Sequence, residues 1–229
     1  MMNYIPLHDL TMGLVSLVKG FYYERKKRKA RERIKQLTLH KVSHWIDSGI
    51  PIHLDIGAGE KSTKPGWFTL DRNSSCDLCW DLTDGMPFPD CAVTAIYSSH
   101  FLEHIPVEEL TVLLRECYRS LKMGGSMSVC VPDARPFFEA YVNGQRCVEH
   151  TPPDVWQSGW HETGSLIDQI NYLAYMKSEH RFMFDEDNLP RLLEQAGFSG
   201  VTLTSFDPEI DLADRESGSI YTIRFRSVA

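Results

Sequence analysis

Pro51-Ile52-His53-Leu54-Asp55-Ile56-Gly57-Ala58-Gly59-Glu60 joins an apolar run to a turn rich in glycine. An apolar run that stops at glycines is typical of a buried strand followed by a tight turn. Glycine allows positive φ and leaves no Cβ between the backbone and a ligand. Ligands of open α/β sheets bind beyond the carboxyl ends of the strands, so this segment predicts a ligand-binding turn.

Strands and helices are predicted to alternate along the rest of the chain. Apolar runs predict strands at residues 51–56, 67–71, 76–82, 92–98, 126–131, 201–206 and 219–227. Helical spacing of apolar residues predicts amphipathic helices over 107–121 and 185–196, each closed by glycine. This order predicts an α/β fold with a mostly parallel sheet, helices on both faces and an antiparallel pair of strands at the end.

Charge divides the chain into a basic N-terminal segment and an acidic remainder. The chain has 229 residues and a net charge of −7. Residues 1–41 carry ten lysines and arginines against three acids, so they hold +7 and the remainder holds −14. We therefore predict a basic amphipathic helical extension, residues 1–48, and a domain, residues 49–229. Within that domain, residues 145–184 interrupt the alternation and are predicted as an insertion.

The basic extension has two interpretations. Its apolar stripe and its cations favour either an anionic membrane surface, contacted through residues 7–41, or packing on this domain or on a second copy in a homo-oligomer. The acidic remainder disfavours a nucleic-acid partner. The six cysteines form no disulfide framework, and no apolar run is long enough to span a bilayer. We expect a cytoplasmic protein that is able to lie on the inner face of the membrane.

Polar residues follow three of the predicted strands. Asp71 and Asp81 stand at the second and third strand ends, and residues 97–100 (Tyr-Ser-Ser-His) end the fourth. Two separated carboxylates suit the hydroxyls of a ribose and an exocyclic amine. A dinucleotide-binding motif is disfavoured, because Ser62 replaces its third glycine and Asp71 comes too early for its acid.

A series of short motifs occurs here in the order of a known family. The motifs are Leu54-Asp55-Ile56-Gly57-Ala58-Gly59, Thr69-Leu70-Asp71, Trp80-Asp81-Leu82-Thr83, Pro87-Phe88-Pro89-Asp90, residues 96–104, residues 121–125, His180-Arg181-Phe182-Met183-Phe184 and residues 192–198. On these motifs, the chain resembles class I S-adenosylmethionine-dependent methyltransferases over residues 50–205. The resemblance implies a Rossmann-like sheet of seven strands and S-adenosylmethionine as the methyl donor.

The resemblance also implies a set of cofactor-binding residues. They are Asp55, Gly57, Ala58, Gly59, Asp71, Asp81, Leu82, Ser98 and Ser99. In the family pattern, the glycines line the methionine part, Asp71 binds the ribose, and Asp81 with the backbone of Leu82 holds the adenine. The chain departs from that pattern in one place. Only seven residues, Glu60 to Gly66, join the first two strands, which is too few for the usual crossover helix.

Histidines are the candidate proton acceptors. Methyl transfer is an in-line displacement, and a hydroxyl acceptor must lose its proton. We favour His100 as the base, with His104 beside it and His161 in the insertion as alternatives, and Glu103 as a residue that orients a neighbour. Aromatic residues of the insertion form either a lid over the acceptor or a local hydrophobic plug; they are Trp156, Trp160, Tyr172 and Tyr175.

Two motifs are suggestive of zinc. His100-Phe101-Leu102-Glu103-His104 matches the H-x-x-E-H pattern of a class of zinc peptidases. It follows a strand directly and lies within the methyltransferase motifs, so we disfavour a peptidase. Cys76-Asp77-Leu78-Cys79 is half of a zinc knuckle without its second half, and is interpreted as strand. The sequence thus predicts no metal site.

The predicted function is O-methylation of a sugar or glycan precursor with S-adenosylmethionine as donor. Within the family, the segment Ser98-Ser99-His100-Phe101-Leu102-Glu103-His104 and the short first crossover resemble chains that accompany surface-polysaccharide synthesis. Two alternatives remain: a small-metabolite methyltransferase, and a methyltransferase-like binding or scaffold protein without turnover. The retained acids and glycines of the cofactor set favour an active enzyme.

Overall fold

A computed structural model of the protein describes residues 7–60, 64–147, 163–204, 211 and 221–226, with side chains from residue 20 to residue 211 of these ranges. The strands are β1 (His53–Ile56), β2 (Trp67–Asp71), β3 (Leu78–Cys79), β4 (Val93–Ser99), β5 (Leu121–Val131), β6 (Ser199–Thr204) and β7 (Tyr221–Arg226). The α-helices are α1 (Leu7–Ser48), α2 (Val107–Ser120), α3 (Arg135–Val142), α4 (Ile167–Tyr175) and α5 (Asn188–Ala196). Short 3-10 helices span Leu82–Asp84, Leu102–His104 and Met176–Ser178.

One sheet organises these elements. In the part of the chain that the structure describes, it has seven strands in the order β3-β2-β1-β4-β5-β7-β6. The first five strands in this order, β3, β2, β1, β4 and β5, are parallel to one another. Strand β7 lies between β5 and β6 and is antiparallel to both. The predicted α/β fold with a parallel sheet is therefore confirmed. Ile56 pairs with Leu70 on one side and with Ser98 on the other, so three carboxyl ends meet at the same edge.

The core forms where the inner strands and two helices bury their apolar residues. β1 and β4 are central strands, so their apolar side chains, such as Leu54, Ile56 and Ile96, are wholly buried. Helix α2 packs on α5, and the ring of Tyr118 meets the edge of Phe198 at 5.3 Å between ring centroids. This packing fixes the positions of the strand ends that form the candidate site.

Strand β5 begins earlier than the sequence predicts. The predicted helix 107–121 ends instead at Ser120, and the backbone of Leu121 already pairs with Val93 of β4. The register then shifts, and the next pair joins Ala95 to Ser126. The glycines at 124 and 125 therefore lie in an irregular part of a strand and do not close the helix, because strand pairing starts before them.

Helix α1 belongs to the core at one end only. The Thr38 hydroxyl donates to the Cys79 carbonyl at 2.9 Å, Val42 is buried, and Trp45 stacks on Phe68 with 3.9 Å between ring centroids. By contrast, residues 20–34 are exposed along their whole length. The predicted extension thus contains a docked part and an exposed part. Across residues 7–60, 64–147 and 163–204, no helix is long and apolar enough to cross a membrane.

Candidate active site

A cleft of about 430 Å³ opens where the parallel strands end. It gathers residues that follow β1, β2 and β4 together with residues of the 3-10 helices. They are Gly57, Asp71, Arg72, Trp80, Asp81, Leu82, Thr83, His100, Phe101, His104, Ile105, Pro106, Glu109 and Arg181. Six of them were predicted from sequence as cofactor-binding or catalytic residues. The volume is within the usual range for small-molecule sites.

Gly57 is needed for a reason that the sequence did not reveal. Its φ is +67°, and a Cβ added there would overlap the side chain of Phe101. The expectation was that Gly57 makes room for the methionine part of the cofactor, but a side chain of the protein itself lies against it. Gly59 has φ of +63°, and no atom of the described residues lies within 4 Å of a Cβ added there.

Asp71 holds the glycine turn in place of a crossover helix. Its Oδ2 accepts the Gly59 N–H at 3.1 Å and its Oδ1 accepts the Asn73 N–H at 2.9 Å. The Gly59 carbonyl accepts the thiol of Cys76 at 3.2 Å. Residues 57–60 and 64–66 of the crossover contain no helix, as its length predicts. Each Asp71 oxygen keeps a further lone pair, so ribose hydroxyls remain able to bind there.

Asp81 and Leu82 form the opposite wall of the cleft. The Asp81 carboxylate caps the 3-10 helix Leu82–Asp84, accepting the Thr83 N–H at 3.1 Å and the Thr83 hydroxyl at 2.8 Å. The Trp80 indole donates to the Gly85 carbonyl at 2.7 Å, and the Lys35 ammonium lies 5.3 Å from the ring centroid. Helix α1 therefore supports this wall, which the predicted boundary at residue 48 did not anticipate.

The other predicted cofactor residues do not line the cleft. Asp55, Ala58, Ser98 and Ser99 are buried, and Gly59 is half-buried next to the lining residues of the turn. Ser98 and Ser99 are at most 3% exposed, and their hydroxyl oxygens have no hydrogen-bond partner among the described residues. Their contact with a cofactor stays a prediction.

Cys76 and Cys79 are not paired as metal ligands. The Cys76 thiol donates to Gly59 and the Cys79 thiol donates to the Arg72 carbonyl at 3.3 Å. Burial raises the pKa of both thiols, which keeps them protonated. Both residues thus act as hydrogen-bond donors to the backbone around the cleft.

His100 and His104 flank a buried carboxylate. Glu103 is 2% exposed, and its Oε1 lies 3.5 Å from His100 Nδ1 and 3.9 Å from His104 Nε2. His104 Nδ1 donates to the Glu179 carbonyl at 3.2 Å. Both predicted bases line the cleft, and the orienting role of Glu103 stays a prediction.

The zinc-peptidase pattern is not formed as a helical face. Leu102–His104 is a single 3-10 turn, and His100 lies before it with φ of +49°. The His100 N–H donates to the Cys130 carbonyl at 2.9 Å, which ties it to the end of β5. The five residues of the pattern therefore do not form the α-helical turn that such peptidases use, although both histidines lie within 4 Å of the same Glu103 oxygen.

His180 and Arg181 were not identified as site residues from sequence. Arg181 lines the cleft, and the His180 ring meets the His104 ring at 5.0 Å between centroids. His180 Nδ1 donates to the Leu173 carbonyl at 2.6 Å. Burial lowers the pKa of His180, which favours the neutral ring. The sequence placed both residues in the motif at 180–184, but nothing in that motif indicates that it lies close to Glu103 in the fold.

The predicted insertion is described in part. Tyr172 packs against a small buried cluster formed by Ala134, Phe137, Cys147 and Leu173, which agrees with a local hydrophobic plug. Tyr175 is 61% exposed. Trp156, Trp160 and His161 lie outside the described residues, so the lid over the acceptor and the alternative base stay predictions.

The residues present fit the adenosine half of S-adenosylmethionine. Asp71 and Asp81 line one cleft, and Asp71 also accepts the N–H of Gly59 in the turn. The methionine half fits less directly, since the Phe101 ring lies against Gly57. Arg72 and Arg181 at the same cleft supply cations for a carboxylate.

Comparison with known proteins identifies a family. A family model described as a methyltransferase domain matches residues 25–203. The 2-methoxy-6-polyprenyl-1,4-benzoquinol methylase of Drosophila melanogaster is 26% identical over 165 residues, covering 70% of this chain and 50% of that protein. A ubiquinone/menaquinone biosynthesis C-methyltransferase of Photorhabdus laumondii is 28% identical over 123 residues, covering 53% and 45%. The chain thus spans about half the length of these curated relatives.

Solved structures with a similar arrangement include two methyltransferases. One is a SAM-dependent methyltransferase from Archaeoglobus fulgidus, with a TM-score of 0.46, 16% identity and coverage of 84% of this chain and 94% of that one. The other is a 1,6-didemethyltoxoflavin-N1-methyltransferase from Burkholderia thailandensis, with a TM-score of 0.45, 13% identity and coverage of 100% and 93%. That second structure contains bound S-adenosylhomocysteine.

Proposed function

The chain belongs to the methyltransferase-domain family, and from this premise we infer that it transfers the methyl group of S-adenosylmethionine to a small hydroxylated metabolite. The observation that carries this proposal is the cleft itself, which brings Gly57, Asp71, Asp81 and His100 together at one edge of the sheet. When bound, the cofactor supplies an electrophilic methyl group on a sulfonium.

The residues of the cleft bind the cofactor, orient the reacting groups and remove the proton of the acceptor. Asp71 accepts ribose hydroxyls while it holds the Gly59 turn, and Asp81 with Leu82 receives the adenine. Glu103 Oε1 lies 3.5 Å from His100 Nδ1, and His100 Nε2, which lies 4.0 Å from the Cys130 sulfur, is the nitrogen that accepts the proton of the acceptor in this proposal. Phe101, Ile105 and Pro106 line the same cleft and exclude water around the reacting groups.

The acceptor class is proposed from the lining and from the relatives. The cleft combines apolar rings with histidines, which suits a small molecule with a hydroxyl on an apolar frame. One relative is named as a benzoquinol methylase and the other as a C-methyltransferase of ubiquinone and menaquinone biosynthesis, which favours a small metabolite over the sugar or glycan precursor predicted from sequence.

A screen with labelled donor tests the acceptor class. The protein is incubated with methyl-labelled S-adenosylmethionine and separate sets of phenols and quinols, sugar nucleotides and lipid-linked glycans. The proposal predicts label transfer to the first set. Transfer only to a sugar acceptor would restore the prediction made from sequence. Binding of the donor without transfer to any acceptor would favour the scaffold alternative.

Asp71→Ala is expected to weaken S-adenosylhomocysteine binding by about 5- to 150-fold. The substitution removes the ribose acceptor and leaves the Gly59 N–H without its partner, a loss of about 1–3 kcal/mol. Isothermal calorimetry measures the change. Asp77→Ala is the matched control, since Asp77 Oδ2 also accepts a backbone N–H, that of Thr69 at 2.9 Å, but does not line the cleft. Equal losses in both variants would mean that Asp71 acts only on the fold.

We also propose that the exposed part of α1 contacts an anionic membrane surface. Phe21, Tyr22 and Tyr23 are each at least 65% exposed, and they precede the basic run Arg25-Lys26-Lys27-Arg28-Lys29, which is exposed as well. Aromatic side chains beside cations suit a negatively charged lipid interface, where each cation contributes about 1 kcal/mol.

Reversing charge at Lys26, Lys27 and Lys29 to glutamate is expected to lower binding to vesicles containing phosphatidylserine by about a hundredfold or more. Co-sedimentation with vesicles measures the partition, and neutral phosphatidylcholine vesicles show the charge dependence. These side chains are remote from the docked end of α1, so the fold should be unchanged. Equal sedimentation of the variant and the unmodified protein would contradict the membrane proposal and favour packing on protein.

A further inference from the structure

A cluster beside the cleft has the composition of a metal site. Glu103, His104 and His180 each offer one ligand atom, and these atoms lie within 4.8 Å of one another. We propose that they bind a divalent transition metal of the zinc class. This inference does not depend on the proposed methyl transfer, because it concerns only the affinity of these side chains for a metal ion.

Both histidines are already held in the form that binds a metal. His104 Nδ1 faces the Glu179 carbonyl and His180 Nδ1 faces the Leu173 carbonyl, at 3.2 Å and 2.6 Å. A carbonyl oxygen only accepts, so each Nδ1 carries the proton and each Nε2 keeps its lone pair. Metal-binding histidines characteristically donate their other ring N–H to such an acceptor, which fixes the tautomer and the ring orientation.

The Glu103 carboxylate is buried, and one of its oxygens is able to accept a further ligand or hydrogen bond. Glu103 Oε2 is buried and has no hydrogen-bond partner among the described residues. Burial of an ionised oxygen without a partner is costly, and a cation at this point removes the cost. The neighbouring His104 ring nitrogen lies 3.9 Å from the other oxygen, Oε1, which is too far for a hydrogen bond that would replace the cation.

The backbone brings the distant histidine to this carboxylate. The Glu103 carbonyl accepts the N–H groups of Arg181 and Phe182, at 2.7 Å and 3.2 Å. These two bonds fasten the segment that carries His180 to the 3-10 turn that carries Glu103 and His104. The site is therefore built from two segments of chain, and the H-x-x-E-H pattern contributes only two of the three ligands.

The geometry suits a small tetrahedral ion. Ligand atoms of a tetrahedral zinc ion are about 3.3–3.5 Å apart, and these atoms lie within 4.8 Å of one another, so they need to close by about 1.5 Å at most. Two imidazoles and a carboxylate favour zinc or cobalt over magnesium. His104 also lines the cleft, so the bound ion would lie next to the cleft.

Metal titration of the untagged full-length chain tests the proposal. After dialysis against chelator, we expect one Zn²⁺ per chain by calorimetry and, with Co²⁺ as the probe, the visible absorption of a tetrahedral site. His104→Gln and His180→Gln should each lower the Zn²⁺ affinity by about a hundredfold or more. His44→Gln, an exposed histidine of α1, is the matched control and should leave the affinity unchanged.

The outcomes separate the site from its alternatives. If the chelated full-length chain takes up no Zn²⁺ saturably, or if His104→Gln binds as tightly as the unmodified chain, the proposal is overturned. Circular dichroism checks the fold of each variant. If His180→Gln does not fold because His180 is buried, the Zn²⁺ affinity of His104→Gln alone tests the proposal. S-adenosylhomocysteine calorimetry on the same samples reports independently, so failure of the metal site is distinguishable from failure of the methyltransferase proposal.

Discussion

Replacing His100 by glutamine is expected to lower the turnover number for methyl transfer by about 10²- to 10⁴-fold while S-adenosylhomocysteine affinity is unchanged. His100 lines the cleft, its Nδ1 lies 3.5 Å from Glu103 Oε1, and its Nε2, 4.0 Å from the Cys130 sulfur, is the nitrogen proposed to accept the proton. Glutamine keeps a polar side chain of similar reach but has no titratable nitrogen. Steady-state rates with an acceptor found in the screen, together with calorimetry, separate turnover from cofactor binding.

His53→Gln provides the matched control for this prediction. His53 lies at the opposite end of β1 from the glycine turn and does not line the cleft, so its replacement should leave the rate unchanged. The pH profile adds a second readout, because loss of a base removes the fall in rate at low pH. Full activity of His100→Gln, or a loss confined to His104→Gln, would contradict the assignment of His100 as the base.

Gly57→Ala is expected to reduce the free energy of unfolding by about 2–5 kcal/mol. The left-handed backbone at φ of +67° contributes about 1–2 kcal/mol of strain, and the overlap of the new Cβ with Phe101 adds about 1–3 kcal/mol. For a chain of this size, the melting temperature should fall by about 5–15 °C. Urea unfolding followed by circular dichroism measures the change.

Gly59→Ala isolates the strain from the overlap. Its φ is +63° and its added Cβ meets no atom of the described residues within 4 Å, so the strain of about 1–2 kcal/mol is the expected cost. The pair Gly57→Ala and Phe101→Ala completes a double-mutant cycle, in which the alanine at 57 should cost less once the ring is gone. If Gly57→Ala and Gly59→Ala were equally destabilising, the contact with Phe101 would not explain the glycine.

The sequence was most informative where local rules apply. The apolar run ending at Gly57 predicted β1 and its turn, because strand burial and glycine turns depend on neighbouring residues. The parallel order then placed Asp71, Asp81 and His100 at one edge, since parallel strands share their carboxyl ends. The family match to residues 25–203 agrees with the methyltransferase motifs, which end near the same point.

Contacts between segments that are distant along the chain could not be predicted from the sequence. Phe101 against Gly57 and His180 against His104 depend on how loops fold back on the sheet, which no periodicity records. The same applies to Trp45 of α1, which stacks on Phe68 of β2, so that a predicted extension reaches the core. Asp71 shows a related limit, since its bond to the Gly59 N–H fixes the turn, and no sequence pattern indicated that bond.

The central claim is that the edge cleft holds the methyl donor. A crystal structure of the protein grown with S-adenosylhomocysteine tests it most directly. The account predicts ribose hydroxyls on the Asp71 carboxylate, adenine beside Asp81 and Leu82, and the homocysteine end near Phe101 and Gly57. Density for that molecule at a different place on the protein, with the edge cleft unchanged, would contradict the account.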